Sequence, residues 1–201
     1  MIEVEKKFIL SDYNREQLTK DAEFLNERVF TDIYYDTKDF SLTSRDIWLR
    51  SREGRFELKI PLHINRDSDR LIDQYDELQD ELEIRRILDL PLREKLSDDL
   101  MRAGYSPFCT CKTTRRKYKK ESFIIDLDSA DFQDFIYNIG EIELMVNDKS
   151  ESEAAAEKIV SFAKKHHLTI APVRGKIIEF LRKTSPTHYE ALIKKGVVKD
   201  S

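Results

Sequence analysis

The chain has 201 residues, 40% hydrophobic and 37% charged, with a formal net charge of −4. That length and apolar fraction suit one domain with a real core, while the charged fraction stands well above the roughly 25% usual in globular domains. The near-balanced charge argues against nucleic acid as a partner, and no apolar run approaches the ~20 residues that span a bilayer, so no membrane partner is expected.

Met1 is followed at once by Ile2 and Glu3, which fits no signal peptide. Cys109 and Cys111 stand two apart, a spacing that rarely bridges within one strand. Both are read as reduced core thiols of a cytoplasmic protein.

Period-two alternation predicts strands near 2–9, 28–36, 46–52, 55–60, 70–79, 107–118, 121–128 and 139–147. Helical spacing predicts helices over 14–26, 86–103, 150–167, 174–184 and 186–196. In the second of these, Leu88, Leu92, Leu96 and Leu100 make one apolar stripe, with Pro91 early in the run, where it is best tolerated. In the third, Ala156, Ile159, Val160 and Phe162 or Ala163 form the buried side. One domain over 1–201 is expected, with the helices of 174–196 against it and the tail 197–201 frayed. Strands without a regular βαβ rhythm predict an antiparallel α+β fold. Eight strands suffice to close a β-barrel.

The informative feature is which residues alternate. Glu3, Glu5 and Lys7 share a face of the first strand, with Ile2, Val4 and Phe8 on the apolar side. Asp32, Tyr34 and Asp36 share a face, and so do Trp48, Arg50 and Arg52. Arg55, Glu57 and Lys59 oppose Phe56, Leu58 and Ile60. Further on, Thr113, Arg115 and Lys117 alternate, as do Asp126 with Asp128 and Glu141 with Glu143.

An amphipathic sheet with one wet face would also alternate. A solvated face, however, has no reason to segregate its signs. Here the first and the last two strands supply mostly carboxylates, and the third, fourth and sixth mostly Arg and Lys. Such sorting suits a polyphosphate with its divalent metal. Mg²⁺ takes oxygen ligands and bridges carboxylates to phosphate oxygens. Arg clamps phosphate through paired hydrogen bonds, and Lys serves as a point charge. The five glycines are well separated and form no phosphate-cradling loop. The four histidines show no zinc spacing, and no Ser or Cys nucleophile motif is present.

The string Ile2-Glu3-Val4-Glu5-Lys6-Lys7-Phe8 resembles the E-x-E-x-K opening of the CYTH superfamily, the triphosphate tunnel metalloenzymes. The resemblance continues in order through Tyr34-Tyr35-Asp36-Thr37, Trp48-Leu49-Arg50-Ser51-Arg52-Glu53, Glu57-Leu58-Lys59, Arg115, Asp126 to Phe132, and Gly140-Glu141-Ile142-Glu143. Within the superfamily it is similar to the thiamine triphosphatase family, on the strings Asp126 to Phe132 and Trp48 to Glu53 and on the late segment from Ala171 to Arg182.

The resemblance implies a closed eight-stranded antiparallel β-barrel, the triphosphate tunnel, surrounded by helices. It implies Mg²⁺-dependent hydrolysis of thiamine triphosphate to the diphosphate and phosphate, with Mn²⁺ as the alternative ion, by a monomer. By the same resemblance, Glu3, Glu5, Asp126, Glu141 and Glu143 are metal or metal-water ligands. Lys7, Arg50, Arg52, Lys59, Arg115, Asp128 and Lys176 bind the triphosphate, and Trp48 stacks on the thiamine rings. Tyr34 and Lys59 are similar to a pair that assists proton transfer, which would favour alkaline pH if either must lose a proton. Gln74 falls where related enzymes carry a carboxylate, which leaves the site of a second metal open. Three other activities fit the same tunnel: an inorganic triphosphatase, a class IV adenylate cyclase, and a polyphosphate-binding module without catalysis.

Overall fold

The computed structural model describes residues 2–62, 73–93 and 95–199. Eight strands are present: β1 (Ile2–Phe8), β2 (Glu23–Asp36), β3 (Trp48–Arg52), β4 (Arg55–Pro61), β5 (Asp73–Leu78), β6 (Ser106–Lys120), β7 (Phe123–Asp131) and β8 (Ile136–Val146). They close a barrel in the order β1-β5-β4-β3-β2-β6-β7-β8, and every adjacent pair is antiparallel. The expected α+β class and eight-stranded antiparallel closed barrel are both found.

Among the described residues six helices complete the fold: α1 (Asp12–Thr19), α2 (Glu81–Ile87), α3 (Leu96–Arg102), α4 (Ser152–Lys165), α5 (Lys176–Thr184) and α6 (Pro186–Lys194). Each apolar strand face finds a helix to cover it. Val4 and Phe8 of β1, Ile125 and Ile142 pack against Ala155, Ile159, Phe162 and Ala163 of α4. Leu49 and Leu58 pack against Ile84 of α2 and Leu96 and Leu100 of α3. Fully burying a side chain such as Ile159 or Leu58 is worth about 1.5–3 kcal/mol, and both are 0% exposed. The outward parity of the barrel is therefore held by the core, and the inward parity is left to the charges. No helix among the described residues is long and apolar enough to cross a membrane.

Four expectations are corrected. The helix expected over 14–26 stops at Thr19, and β2 starts at Glu23. A register shift between Phe24 and Asn26 breaks the alternation there, so the strand period is hidden at its start. The helix expected over 86–103 is two short ones. α2 ends at Ile87, Asp89 takes a left-handed φ of 53°, and α3 opens at Leu96. Pro91 falls between them, and Leu92 is 73% exposed instead of continuing the stripe.

The third correction concerns β5. Gln74 stands opposite Val4 in the register, while Tyr75 stands opposite Glu3 and Glu77 opposite Lys59. Asp73, opposite Glu5 in the register, and Glu77 are therefore the acidic residues on the inward parity of β5. Residues 70–72 of that expected strand lie outside the described residues, as does His63. Fourth, the tail does not fray at once. Val197 donates its backbone N–H to Leu192 O, and Val197 and Val198 pack against the cluster around Trp48 and Leu192.

Candidate active site

Strand order explains why the signs are sorted. β7, β8 and β1 are consecutive in the ring, so their carboxylates form one continuous arc. β4, β3, β2 and β6 form the facing arc, which carries most of the arginines and lysines. Between them lies a cavity of about 370 Å³, within the size range of small-ligand sites. Among the described residues, ten Lys and Arg side chains line it against six Asp and Glu. An interior with that balance is built for a polyanion.

The cations are held in place by carboxylates behind or beside them. Arg115 donates to both oxygens of Asp128, at 2.6 and 2.7 Å, and to Glu141 at 2.9 Å; it also pairs with Asp126. Lys176, from the first turn of α5, donates to Asp128 at 2.6 Å. Arg52 grips Asp32 through two bonds of 2.7 and 2.9 Å, and Arg50 donates to Glu57 at 2.7 Å. Lys59 reaches Glu3 at 3.2 Å and pairs with Glu77; Lys7 pairs with Glu5. Lys117 lies 2.8 Å from Asp126.

The ring of Phe30 sits among three of these groups. The Arg52 guanidinium carbon lies 4.0 Å from its centroid, with Arg115 at 5.9 Å and Lys176 at 6.0 Å. An aromatic face is a favourable neighbour for cations that would otherwise only repel one another.

The carboxylates on the opposite arc are crowded. Glu5 and Glu143 are direct partners across the β1–β8 ladder. Oxygens of Glu3, Glu5 and Glu143 come within 4.8 Å of one another, and so do those of Asp126, Glu141 and Glu143. Burial, with Glu5 and Glu77 as neighbours, pushes Glu3 up to about 7 despite the pull of Lys59. Burial, then repulsion by Asp126, Glu3 and Glu141, raises Glu143 well above the usual carboxylate range. Glu141 differs: burial alone would raise it, but Arg115, Lys7 and Lys176 hold it below that range. The hard oxygen donors of Glu3, Glu5 and Glu143, gathered this closely, fit a divalent metal such as Mg²⁺.

Burial raises the Tyr34 phenol. Burial would lower Lys59, but Glu5, Glu3 and Glu77 outweigh it and hold its proton. Tyr34 stands opposite Arg50 in the β2–β3 register, whereas Lys59 stands opposite Trp48 and Glu77.

Glu3, Glu5, Lys7, Tyr34, Trp48, Arg50, Arg52, Lys59, Arg115, Glu141, Glu143 and Lys176 all line the cavity. Asp126 and Asp128 stand one layer back, buried, as partners of Arg115, Lys117 and Lys176. Asp46, Tyr75, Glu77, Lys117 and Arg174 also line it and were not expected as site residues. For Lys117 the parity with Arg115 was the available signal. For Glu77 it was masked by counting from Gln74. Asp46 has the parity of Trp48, Arg50 and Arg52 within the expected strand 46–52, which was the available signal, although β3 itself begins at Trp48.

A closed antiparallel barrel with carboxylates on one arc and cations on the other defines the tunnel class of fold. The CYTH domain family matches residues 1–169, and the chain belongs to that family. It is similar to the thiamine-triphosphatase of Homo sapiens, at 31% identity over 96% of this chain and 90% of that protein. Among solved structures, the PH1819 protein from Pyrococcus horikoshii OT3 shares the fold with a TM-score of 0.61 at 24% identity, covering 90% of this chain and 99% of that one. A Vibrio parahaemolyticus protein provisionally described as an adenylate cyclase has a TM-score of 0.57 at 20% identity, covering 90% and 98%.

Proposed function

We propose that this protein is a metal-dependent triphosphatase that hydrolyses thiamine triphosphate to thiamine diphosphate and phosphate. The observation that carries the reading is the cavity itself. Arg50, Arg52, Lys59, Arg115 and Lys176 converge on a space whose other side is the Glu3–Glu5–Glu143 cluster. The similarity to the human thiamine-triphosphatase supports the same reading.

Glu3, Glu5 and Glu143 would hold the ion, Mg²⁺ or Mn²⁺, which when bound neutralises charge on phosphate oxygens. The three arginines clamp the phosphates, and Lys7, Lys59 and Lys176 add point charges. Asp32 and Asp128 already occupy one edge of Arg52 and Arg115, so each guanidinium is aimed before substrate arrives. Asp128 therefore acts through Arg115 and Lys176, and Asp126 through Arg115 and Lys117. Positioning of this kind lowers the ordering cost at the moment of reaction.

Glu141 stays ionised beside Arg115 and is the acceptor we assign to orient the attacking water. The oxygen of that water forms a bond to the terminal phosphorus, the bond from phosphorus to the bridging oxygen breaks so that this oxygen leaves on the diphosphate, and one water proton leaves with solvent or phosphate. Tyr34 and Lys59 keep their protons and stabilise the charge that develops on the leaving chain. Trp48 stacks on the organic end. Glu3→Ala and Glu5→Ala should each abolish most Mg²⁺-dependent phosphate release; near-normal turnover in either would overturn the assignment.

A further inference from the structure

The cavity has an end that is not built for phosphate. There Asp46, Trp48 and Tyr75 face a lining that includes Ile177, Ile178 and Val197. We infer that Asp46 sets the preference of this end for a positively charged heteroaromatic group. The inference rests on the substrate reading above and extends it from the triphosphate to the organic end.

Asp46 is placed with care by the chain around it. Asp36 is buried and accepts from the backbone N–H groups of Thr37 at 2.7 Å, Leu42 at 3.0 Å and Thr43 at 2.8 Å. Those bonds pin the loop that follows β2. A single 3-10 turn over Thr43–Arg45 then ends at Asp46, whose φ of 63° is left-handed. A non-glycine residue there is uncommon, although Asp tolerates it better than most. The turn delivers the carboxylate to 5% exposure inside the cavity.

One oxygen of Asp46 then does two things. Its Oδ1 accepts from Trp48 Nε1 at 2.9 Å and from the Tyr75 hydroxyl at 2.9 Å. Trp48 and Tyr75 come from β3 and β5, which are not neighbours in the ring. Their edges are tied to a single atom, and the tilt of both ring faces is thereby set. Asp46 also brings a carboxylate into a chamber whose lining combines aromatic and apolar side chains with Lys59, 5.7 Å from the Tyr75 ring centroid, and Lys199.

The chemistry that suits such a chamber is narrow. A flat cation gains from the indole face and from the carboxylate together. A bare phosphate is repelled by the carboxylate, and a neutral base gains little from it. Asp46 therefore selects against inorganic triphosphate and nucleotides as well as for a thiazolium-type ring, since discrimination comes from both sides. It is a positioning residue for the rings and a specificity-determining one for the substrate.

Trp48 is the only tryptophan in the chain, so its fluorescence reports this chamber directly. The test is a fluorescence titration of the full-length protein with thiamine diphosphate and with inorganic diphosphate, in Mg²⁺. The wild type, Asp46→Asn and Asp46→Ala are compared. The wild type should bind thiamine diphosphate about tenfold or more tighter than inorganic diphosphate. Asn retains an acceptor oxygen, so Asp46→Asn should keep the emission maximum while its affinity ratio falls by about tenfold. Asp46→Ala should also shift the emission. If the wild type shows the preference and both variants keep it within about twofold, the role of Asp46 is overturned and the substrate reading stands. If the wild type shows no preference, the substrate reading falls and takes this inference with it. Should Asp46→Ala fail to fold, the near-isosteric Asp46→Asn decides alone.

Discussion

Glu5 and Glu143 stand directly opposite each other across the β1–β8 ladder, both buried on the inner face of the barrel. Like charges in that arrangement are destabilising, and burial adds to the penalty. Burial, and then the carboxylates of Asp126, Glu3 and Glu141, raise the pKa of Glu143 well above the usual range, so its ionised form is disfavoured there. A divalent cation between them, as proposed above, would relieve the repulsion.

Glu143→Gln should therefore have opposite effects with and without metal. Without it, the variant should be more stable than the wild type by about 1 kcal/mol, because a repulsion is gone. In millimolar Mg²⁺ the wild type should gain stability, and the variant should gain little or none. Thermal melts with Mg²⁺ and with chelator check both halves. Equal Mg²⁺ shifts in the two proteins would remove Glu143 from the metal set.

Arg115 offers a second test. Its two bonds to Asp128 and its contact with Glu141 depend on a planar fork. Arg115→Lys keeps the charge and loses the fork. We expect kcat/KM to fall on the order of 10²-fold, with a lower melting temperature, because Asp126, Asp128 and Glu141 lose part of their pairing. Steady-state kinetics that change less than about threefold would contradict the clamp.

A pH effect on stability is expected from a buried histidine outside the cavity lining. His188 of α6 is 2% exposed, stacks on Phe40 at 3.9 Å and shares a 2.7 Å hydrogen bond with Thr43. Burial lowers its pKa, against a weaker pull from Asp36. Below a pH of about 6.5 the unfolded chain takes up a proton there that the folded protein resists. The unfolded state then binds more protons, so stability falls as pH drops through that value and levels off below the depressed folded pKa. His188→Gln should be less stable at pH 7.5 and show a shallower loss between pH 7 and 5.5 in urea denaturation. An unchanged slope would rule out His188 as the source.

Much of this site is legible from sequence because a strand has a period of two. Glu3, Glu5 and Lys7 had to share a face, and so did Trp48, Arg50 and Arg52, once those segments were strands. The ring order is not local information. Nothing in the spacing of Asp126, Glu141 and Glu5 says that β7, β8 and β1 become neighbours, yet adjacency is what turns separate carboxylates into clusters. Local irregularity hid the rest. The shift after Phe24 disguised the start of β2 as helix, and a left-handed turn ahead of β3 brings Asp46 to the cavity. Phe30 lies on the inner parity of β2 between Asp32 and Arg28, but an apolar residue on a charged face reads as noise until the three cations around its ring are seen.

The central claim is that the tunnel hydrolyses a triphosphate with an organic cation at its far end. Phosphate release from thiamine triphosphate, inorganic triphosphate and ATP, each with and without Mg²⁺, tests it most directly. The account predicts Mg²⁺-dependent release with kcat/KM for thiamine triphosphate about tenfold or more above the other two. A higher kcat/KM for inorganic triphosphate, a cyclic nucleotide formed from ATP, or tight triphosphate binding with no phosphate released would contradict it.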